Sequence, residues 1–419
     1  MNSQLVLSEV AFYSETRING TKVSRESFVT TDSMLQNKGG ISNTTVLPKG
    51  NLIAFSQGDI LIGNIRPYLK KIWYAKNSGG CSPDVLVLKS KPDIDSKFLY
   101  YSLFRDDFFS HMMKGAKGTK MPRGDKNQIL RFHIPQIHIS TQQKIASVLS
   151  TLDAKIELNN EINKELEAMA KTLYDYWFVQ FDFPDENGKP YKSSGGKMVW
   201  SEELKREIPE RWEVEKLGDL ITIDKSGDWG KDKIEGNFTK KVVCFRGADI
   251  NGLNGLNELN PPTRYILEKN SFKILQSHDL IIEISGGSPT QSTGRLGFIT
   301  NATMRRFQYP LICSNFCKPI SLKNKKLLYN FVYYWNKLYD NGVFFGYEGK
   351  TSGIKNLLLD SLADSYYMAL PEEKIVNKFY DFIDSIQEKK QTILLENQKL
   401  TELRDWLLPM LMNGQVKIN

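Results

Sequence analysis

Histidine, cysteine and uninterrupted apolar sequence are all scarce in these 419 residues, and each scarcity removes a class of function. The four histidines, His111, His133, His138 and His278, show no HExxH or other ligand spacing, and no serine or cysteine stands in a nucleophile elbow. Cys81, Cys244, Cys313 and Cys317 are too few and too scattered for a disulfide framework. Cys313 and Cys317 form a C-x3-C pair with no second pair at zinc-site spacing, so no metal site is expected and the thiols read as buried. No apolar run is long enough to cross a bilayer. The opening MNSQLVLSEV lacks the basic, apolar and small-residue regions of a signal peptide, so a cytoplasmic location is expected.

The hydrophobic share of 40% and the charged share of 25% are those of an ordinary folded chain with room for two or more cores. A formal net charge of +8 makes a polyanion the first partner to consider, because lysine and arginine gain affinity by releasing counterions from phosphates. The strongest internal signal is a repeat. QQKIASVLSTLDAKIEL (142–158) returns about 230 residues later as EEKIVNKFYDFIDSIQEKKQ (372–391). FLYY (98–101) returns as FVYY (331–334), Cys81-Ser82 as Cys313-Ser314, GDILIG (58–63) as HDLIIEI (278–284), and LSEVAF (7–12) as LGDLITI (217–223). Further along the helices the offset drifts by one heptad, which leaves an apolar seam on the same face.

Ile145, Leu149, Leu152 and Ile156 step by four, three and four, and Ile162, Leu166, Met169 and Leu173 extend the stripe. Ile375, Phe379, Phe382 and Ile386, then Ile393, Leu400, Leu403 and Leu407, repeat it. Two helices of some 35 to 40 residues follow, each roughly 50 to 60 Å long. Pro135 and Pro371 precede them, Ser140 or Thr141 is available to cap the first, and Pro409 closes the second. The stretch DFPDENGKPYKSSGGK (182–197) reads as an exposed linker. The expected division is a first globular domain over 1–139, a helix over 140–181, a linker over 182–207, a second domain over 208–370 and a helix with the C-terminus over 371–419. Within each domain, short β-branched runs such as 85–88, 242–245 and 280–284 alternate with turns, while 97–109 and 325–339 read as amphipathic helices.

Three motifs imitate catalysis. NPPT (260–263) resembles the Asn-Pro-Pro-aromatic loop of amino-methyltransferases, but Thr263 cannot stack on a base and no Gly-rich turn precedes it. GYEGKTSG (346–353) contains Gly-Lys-Thr, yet Phe344 stands where a phosphate loop needs glycine. Asp84, Asp95 and Lys97 imitate a nuclease core, but Asp95 leads into a helix and reads as its cap. What remains is binding chemistry. HMMKGAKGTKMPRGDK (111–126) sets Lys114, Lys117, Lys120, Arg123 and Lys126 among glycines, a cationic loop suited to a phosphate backbone. GNIRPYLKK (63–71) adds Arg66, Tyr68, Lys70 and Lys71. In the second half Arg246, Lys350, Thr351, Ser352 and Lys355 complete the candidate DNA-binding set. Ile145, Leu149, Leu152, Ile156, Leu166, Ile375, Phe379, Phe382, Ile386, Ile393, Leu400 and Leu403 form the candidate helix-pairing or subunit-interface set.

GNIRPYLKK (63–71), GTKMPRGDKNQILRFHIPQ (118–136), TQQKIASVLSTLD (141–153), YDYWFVQFDFP (174–184) and IPERWEVEKLGDL (208–220), in this order and with the duplication, resemble the specificity subunit of type I restriction-modification systems across essentially the whole chain. That family usually enters each helix with Glu-Gln; Gln142-Gln143 keeps the Gln and Glu372-Glu373 the Glu. The resemblance implies an α+β fold: two mixed target-recognition domains separated by two long helices that pair as an antiparallel coiled coil, with a pseudo-two-fold repeat. It also implies a bipartite double-stranded DNA target, two modification subunits and restriction subunits as partners, and no membrane. S-adenosylmethionine, ATP and Mg are expected in those partner subunits, with no cofactor, metal or catalysis in this chain. The competing readings are a stand-alone DNA methyltransferase or nuclease, and a coiled-coil scaffold that binds no DNA.

Overall fold

The computed structural model describes residues 4–256, 259–288, 290–351, 353–416 and 418, the side chains of Lys350 and Thr351 excepted. The chain divides into two units, one made of residues 1–158 and 398–419 and the other of residues 159–397. The five serial segments expected from the sequence are thus regrouped, because each long helix lends one part of its length to each unit.

Each unit is built around the same four-stranded antiparallel sheet. In the first the order is Ala11–Tyr13, Val85–Ser90, Ile60–Gly63, Ile72–Tyr74; in the second it is Ile221–Thr222, Cys317–Leu322, Leu280–Glu283, Leu296–Phe298. The inner strands carry buried apolar residues on both faces, as in Ile60–Ile62 and Leu280–Ile282, because both faces are covered. Successive strand side chains point to opposite faces, so Ile60 and Ile62 join the helices in one cluster while Leu61 joins a second, smaller sheet in another. Leu280, Ile282 and Ile281 divide in the same way.

The smaller sheets also correspond. Phe28–Val29 runs parallel to Gly79–Cys81, and Phe238–Phe245 runs parallel to Leu311–Cys313. Ser82 N–H then donates to Val29 O, as Ser314 N–H donates to Phe245 O. The turn before each central strand is repeated atom for atom. Asp59 accepts from Ser56 N–H at 2.8 Å and Asp279 from Gln276 N–H at 2.7 Å. Gly58 holds a left-handed φ of 92°, and the residue in its place, His278, holds 77°. A non-glycine residue rarely adopts this conformation. Here the His278 ring stacks on Tyr380, and its Nε2 lies 2.5 Å from the Tyr380 hydroxyl.

The long helices run over Ile139–Tyr174 and Glu373–Met412. The first starts one residue before the expected cap, and His138 rather than Ser140 or Thr141 receives its first N–H groups. It ends earlier than expected, passing at Tyr174 into a π-turn, Asp175–Val179. Pro409 lies inside the second helix instead of closing it, since its carbonyl still accepts from Asn413 N–H.

Of the apolar stripe, Ile145, Leu149, Ile375, Phe379, Ile386 and Ile393 are buried, and Leu152, Ile156, Leu166 and Leu400 are half-buried. Phe382 and Leu403 do not pair the helices within this chain, being 47% and 43% exposed, which leaves them to the subunit-interface half of the expectation; Ile383 is the buried residue beside Phe382. Met169 is exposed as well. The cause is a polar interior to the pairing surface. Asn159, Asn163, Gln387, Lys390 and Gln391 are all buried. In the second unit Asn159 donates to Glu396 and Asn397, each at 2.8 Å, and Lys390 pairs with Glu167, so partner numbers fall as the first helix advances. The pairing is antiparallel. In the first unit Asp153 accepts from Arg404 at 2.9 Å and from the Tyr101 hydroxyl at 2.6 Å, while Leu408, Leu411 and Met412 enter the core with Ile145 and Leu149.

The stretch 182–197 is not a simple exposed linker. Phe183 stacks between Tyr191 and Trp212, and buried Asp182 accepts from Ser193 N–H at 2.7 Å. A hairpin of Met198–Ser201 and Arg206–Pro209 follows. The expected helix over 97–109 is two helices, Ser96–Leu103 and Asp106–Lys114. Asp95 caps the first, accepting from Phe98 N–H at 2.8 Å, which accounts for the nuclease-like spacing.

Candidate nucleic-acid interface

In the first unit the two cationic stretches come together where the central strand ends. Past Gly63 the chain turns sharply, with Arg66 and Lys70 both at left-handed φ, 52° and 51°. Against this turn lies the loop 117–123, closed by reciprocal backbone bonds of 2.9 Å between Lys117 and Arg123. Arg66 N–H donates to Pro122 O at 2.7 Å and Gly124 N–H to Asn64 O at 3.1 Å, so the loop is anchored as an extra strand. The fit is close at Gly124, where a Cβ would stand 2.8 Å from Asn64 Oδ1 and 3.2 Å from Ile129 Cδ1, so a larger residue would have to move these side chains.

The anchored loop presents Lys120 and Met121 at its tip, with Lys114, Lys117, Arg123, Lys126 and Tyr68 exposed around it. Acidic partners restrain part of this set. Arg123 meets Asp84 at 3.0 Å, Lys117 meets Asp125 at 3.7 Å, and Lys126 lies over the Tyr13 ring. The backbone N–H of Gln128, then that of Asn127, and Lys117 hold the Asp125 carboxyl below its usual range. Lys70 and Lys71 are committed inward: Lys70 shares Asp106 with Lys38, and Lys71 donates to Thr31 O at 2.5 Å. Burial lowers Lys71 from its ordinary value. Both lysines are thus engaged with partners of the turn itself. Arg66 is half-buried, and its Nε has no hydrogen-bond partner among the described residues.

The second unit builds its version at the equivalent strand end. Ser285–Gly286 pairs with Ile354–Leu357, which pairs with Glu348–Thr351, so a hairpin takes the place of the loop 117–123. Ser352 lies outside the described residues, as do the side chains of Lys350 and Thr351. Lys355 and Arg246 are both held by carboxylates. Lys355 is bound to Glu348 at 2.9 Å, and Glu348 also accepts from Thr293 N–H at 2.8 Å, which fixes the hairpin base. Arg246 makes a two-pronged contact with buried Asp249, at 2.8 and 2.9 Å, and donates to Asn260 O. Asp249 raises Arg246 above its ordinary value. A guanidinium so fixed presents a rigid flat edge. It borders a cavity of about 400 Å³ walled by Trp229 and Phe316.

Reading the sequence alone misses both aromatics. The available signal is a tryptophan set among glycine and charge, SGDWGKDK (226–233), in a segment whose partners are distant. Arg264 stacks on Trp229, 4.1 Å from the ring centroid, and bonds Asp232, while Lys273 meets Asp228 at 3.6 Å. Among the described residues, the second site thus balances several of its cations with carboxylates and is richer in exposed rings, whereas the first keeps more open charge. No group of three or more His, Cys, Asp or Glu that could hold a metal ion occurs among the described residues. Likewise no described helix is long and apolar enough to cross a membrane.

The model for the type I restriction modification DNA specificity domain matches twice, over residues 9–168 and 209–404. The chain belongs to that family. It is 26% identical over 383 residues to the MjaIX specificity subunit of Methanocaldococcus jannaschii, spanning 88% of this chain and 80% of that one. It is 25% identical to the HindI specificity subunit of Haemophilus influenzae, spanning 93% and 94%. The crystal structure of a type I S subunit from M. genitalium superposes with a TM-score of 0.56 at 17% identity, covering 98% of this chain and 96% of that one, and so shares the fold. Both matched stretches of this specificity-domain protein contain a complete central sheet and the start of a long helix.

Proposed function

We propose that this chain is the specificity subunit of a type I restriction-modification complex and that each unit reads one half of a bipartite DNA target. The observation that carries this reading is the doubling of the site. The same strand end receives an anchored loop in one unit and a hairpin in the other, on matching sheets but with different side chains. Equivalent frames with unlike tips suit two unlike half-sites, because base edges are read by side chains while backbone contacts position the protein.

Catalysis belongs to partners in this reading. Modification subunits bring S-adenosylmethionine, and restriction subunits bring ATP and Mg. The chain supplies the address from the cytoplasm. Replacing residues 1–135 by the equivalent stretch of a relative, with the modification subunit co-expressed, is expected to alter one half of the methylated motif and leave the other. Methylome sequencing reads the outcome, and simultaneous change of both halves would overturn the two-reader scheme. Methyl transfer or DNA cleavage by the purified chain alone would instead favour a stand-alone enzyme, and failure to bind DNA in every subunit context would favour a scaffold.

A further inference from the structure

The two units carry different side chains at matching points of their frames, and backbone bonds fix the match. Ser82 N–H donates to Val29 O at 2.9 Å and Ser314 N–H to Phe245 O at 2.8 Å, so Thr30 corresponds to Arg246. Asn64 N–H donates to Asp84 O as Ile284 N–H donates to Phe316 O, each at 2.9 Å, so Asp84 corresponds to Phe316. The turn that follows is shared as well: Thr30 N–H donates to Ser33 Oγ and Arg246 N–H to Asp249 Oδ2, each at 2.9 Å. Where the first unit sets a hydroxyl and a carboxylate, the second sets a guanidinium and a ring. Positions that keep their backbone and change their side chain are where two readers built on one frame differ, because side chains carry the base readout.

In the second unit Arg246, Phe316 and Trp229 border the cavity of about 400 Å³. These walls are open to an incoming group: Trp229 is 38% and Phe316 55% exposed, and the Arg246 side chain is 42% exposed. Phe316 also belongs to the strand end that forms the site, since its carbonyl accepts from Ser285 N–H at 3.2 Å and Ser285 pairs with the hairpin. Glu283, the acid among the lining residues, is buried and neutralised by Arg295, which meets both its oxygens at 2.7 Å. Most donors of Arg246 are engaged. Its Nε and Nη2 bind Asp249, and Nη2 also donates to the carbonyl of Asn260 in the NPPT stretch. Nη1 meets no partner among the described residues, so one donor nitrogen is left beside two accessible rings.

We propose that Arg246, Phe316 and Trp229 determine specificity in the second unit by reading one thymine of its half-site. The inference rests on the two-reader scheme and adds the base that this cavity takes. Thymine is the base whose major-groove edge sets a methyl group beside an acceptor, O4. The methyl packs against the two rings, and O4 accepts from Nη1. Guanine's adjacent acceptors suit a guanidinium with two free nitrogens, and here Nη2 is already committed. Adenine and cytosine turn an amino donor toward a donor. Asn315, exposed on the same lining, carries an amide of the kind that reads adenine, which makes adenine the alternative to be separated by experiment. With Asp84 in the place of Phe316, the first unit lacks the apolar wall and does not read thymine at this point.

The test uses the complex of this chain with its modification subunit and a duplex carrying the motif that the complex methylates in cells. Each thymine of the motif is replaced in turn by deoxyuridine, which removes only the methyl, and by 5-methylcytosine paired with guanine, which keeps the methyl and puts a donor in place of O4. At one thymine of one half-site, deoxyuridine is expected to weaken binding about four-fold, and 5-methylcytosine about ten-fold or more. Phe316→Ala, at an exposed position, is expected to abolish the deoxyuridine penalty at that thymine alone and to keep the 5-methylcytosine penalty, which belongs to Arg246. The analogues leave the protein untouched, so wild-type binding that ignores every deoxyuridine would overturn the inference, as would a Phe316→Ala complex with every penalty intact. Sensitivity to 7-deazaadenine that vanishes in Asn315→Ala, with no thymine of the expected kind, would assign the cavity to adenine instead. A complex that methylates no bipartite motif would overturn the two-reader scheme and this inference together, whereas a bipartite motif lacking such a thymine would overturn this inference alone.

Discussion

Lys120 and Met121 stand at the tip of a loop whose base is fixed by four backbone bonds, so charge removal there should not disturb the fold. Replacing Lys117, Lys120 and Arg123 by alanine is expected to weaken binding to every DNA sequence and to reduce the slope of log K against log salt by about 0.9 for each phosphate no longer neutralised. An unchanged slope would leave the loop as solvated surface. Asp84→Asn is expected to act in the opposite sense: it releases Arg123 from a 3.0 Å ion pair and should raise affinity for non-specific DNA at low salt. Cysteine gives a separate check. Burial pushes the thiols of Cys81, Cys244 and Cys317 up to about 12, so the native chain should resist thiol reagents at pH 8 and react only once unfolded. The sign for stability follows from the raised values. These thiols favour folding fully below their ordinary value near 9, and that contribution is lost as pH rises from about 9 toward 12.

The two long helices show what periodicity can and cannot reveal. Phe379 and Ile383 are fully buried, whereas Phe382 is half in water, although all three are apolar and the repeat alone favours 379 and 382. Phe379→Ala is expected to cost about 3–5 kcal/mol, and Phe382→Asp to leave thermal unfolding nearly unchanged. The carboxylate that would break the buried seam is the one introduced by Ile383→Asp, which should prevent folding of the second unit. Both helices, the duplicated strand ends and the Asp95 cap were legible in the sequence, because short-range spacing and local hydrogen-bonding chemistry dictate them. The buried Asn159, Asn163 and Gln387 were not, since polar residues at helical spacing look the same on a wet face as in a paired one. The acid partners of Arg246, Lys355 and Arg123 were hidden for a related reason: a cation's availability depends on which carboxylate the fold brings beside it. The ordered turn at 182–197 was obscured by its Gly, Pro and Ser content, which masked the stacking of Phe183 on Trp212, 5.3 Å away.

For the whole molecule, the first long helix contributes residues 139–158 to one unit and the rest to the other, and the second helix does the reverse. If the proposed reading of DNA holds, the length of this pair sets the gap between half-sites. Four residues add about 6 Å of helix, close to two base pairs of about 3.4 Å each. Inserting four residues near Asn160 alone would pull Asn159 and Glu167 out of register with Asn397 and Lys390, so a matching insertion near Glu396 is needed to keep those bonds. The doubly extended chain is expected to methylate the same two half-sites with a gap longer by one or two base pairs. Four residues turn the helix roughly 40° past a full turn while two base pairs turn DNA by about 70°, so affinity should fall somewhat. The methylated motif in cells reads the result, and an unchanged gap with full activity would show that these helices do not set the distance.

The entry of Leu408, Leu411 and Met412 into the core around Ile145 and Leu149 also fixes an order of events during synthesis. A ribosome releases the first sheet and its helices long before it makes the residues that close their core, whereas everything the second unit contains lies upstream of residue 398. The unit begun first is thus the last to be finished. A chain interrupted between residues 398 and 408 would lack Leu408, Leu411 and Met412 and leave the core around Ile145 and Leu149 open, a form that proteolysis would clear first.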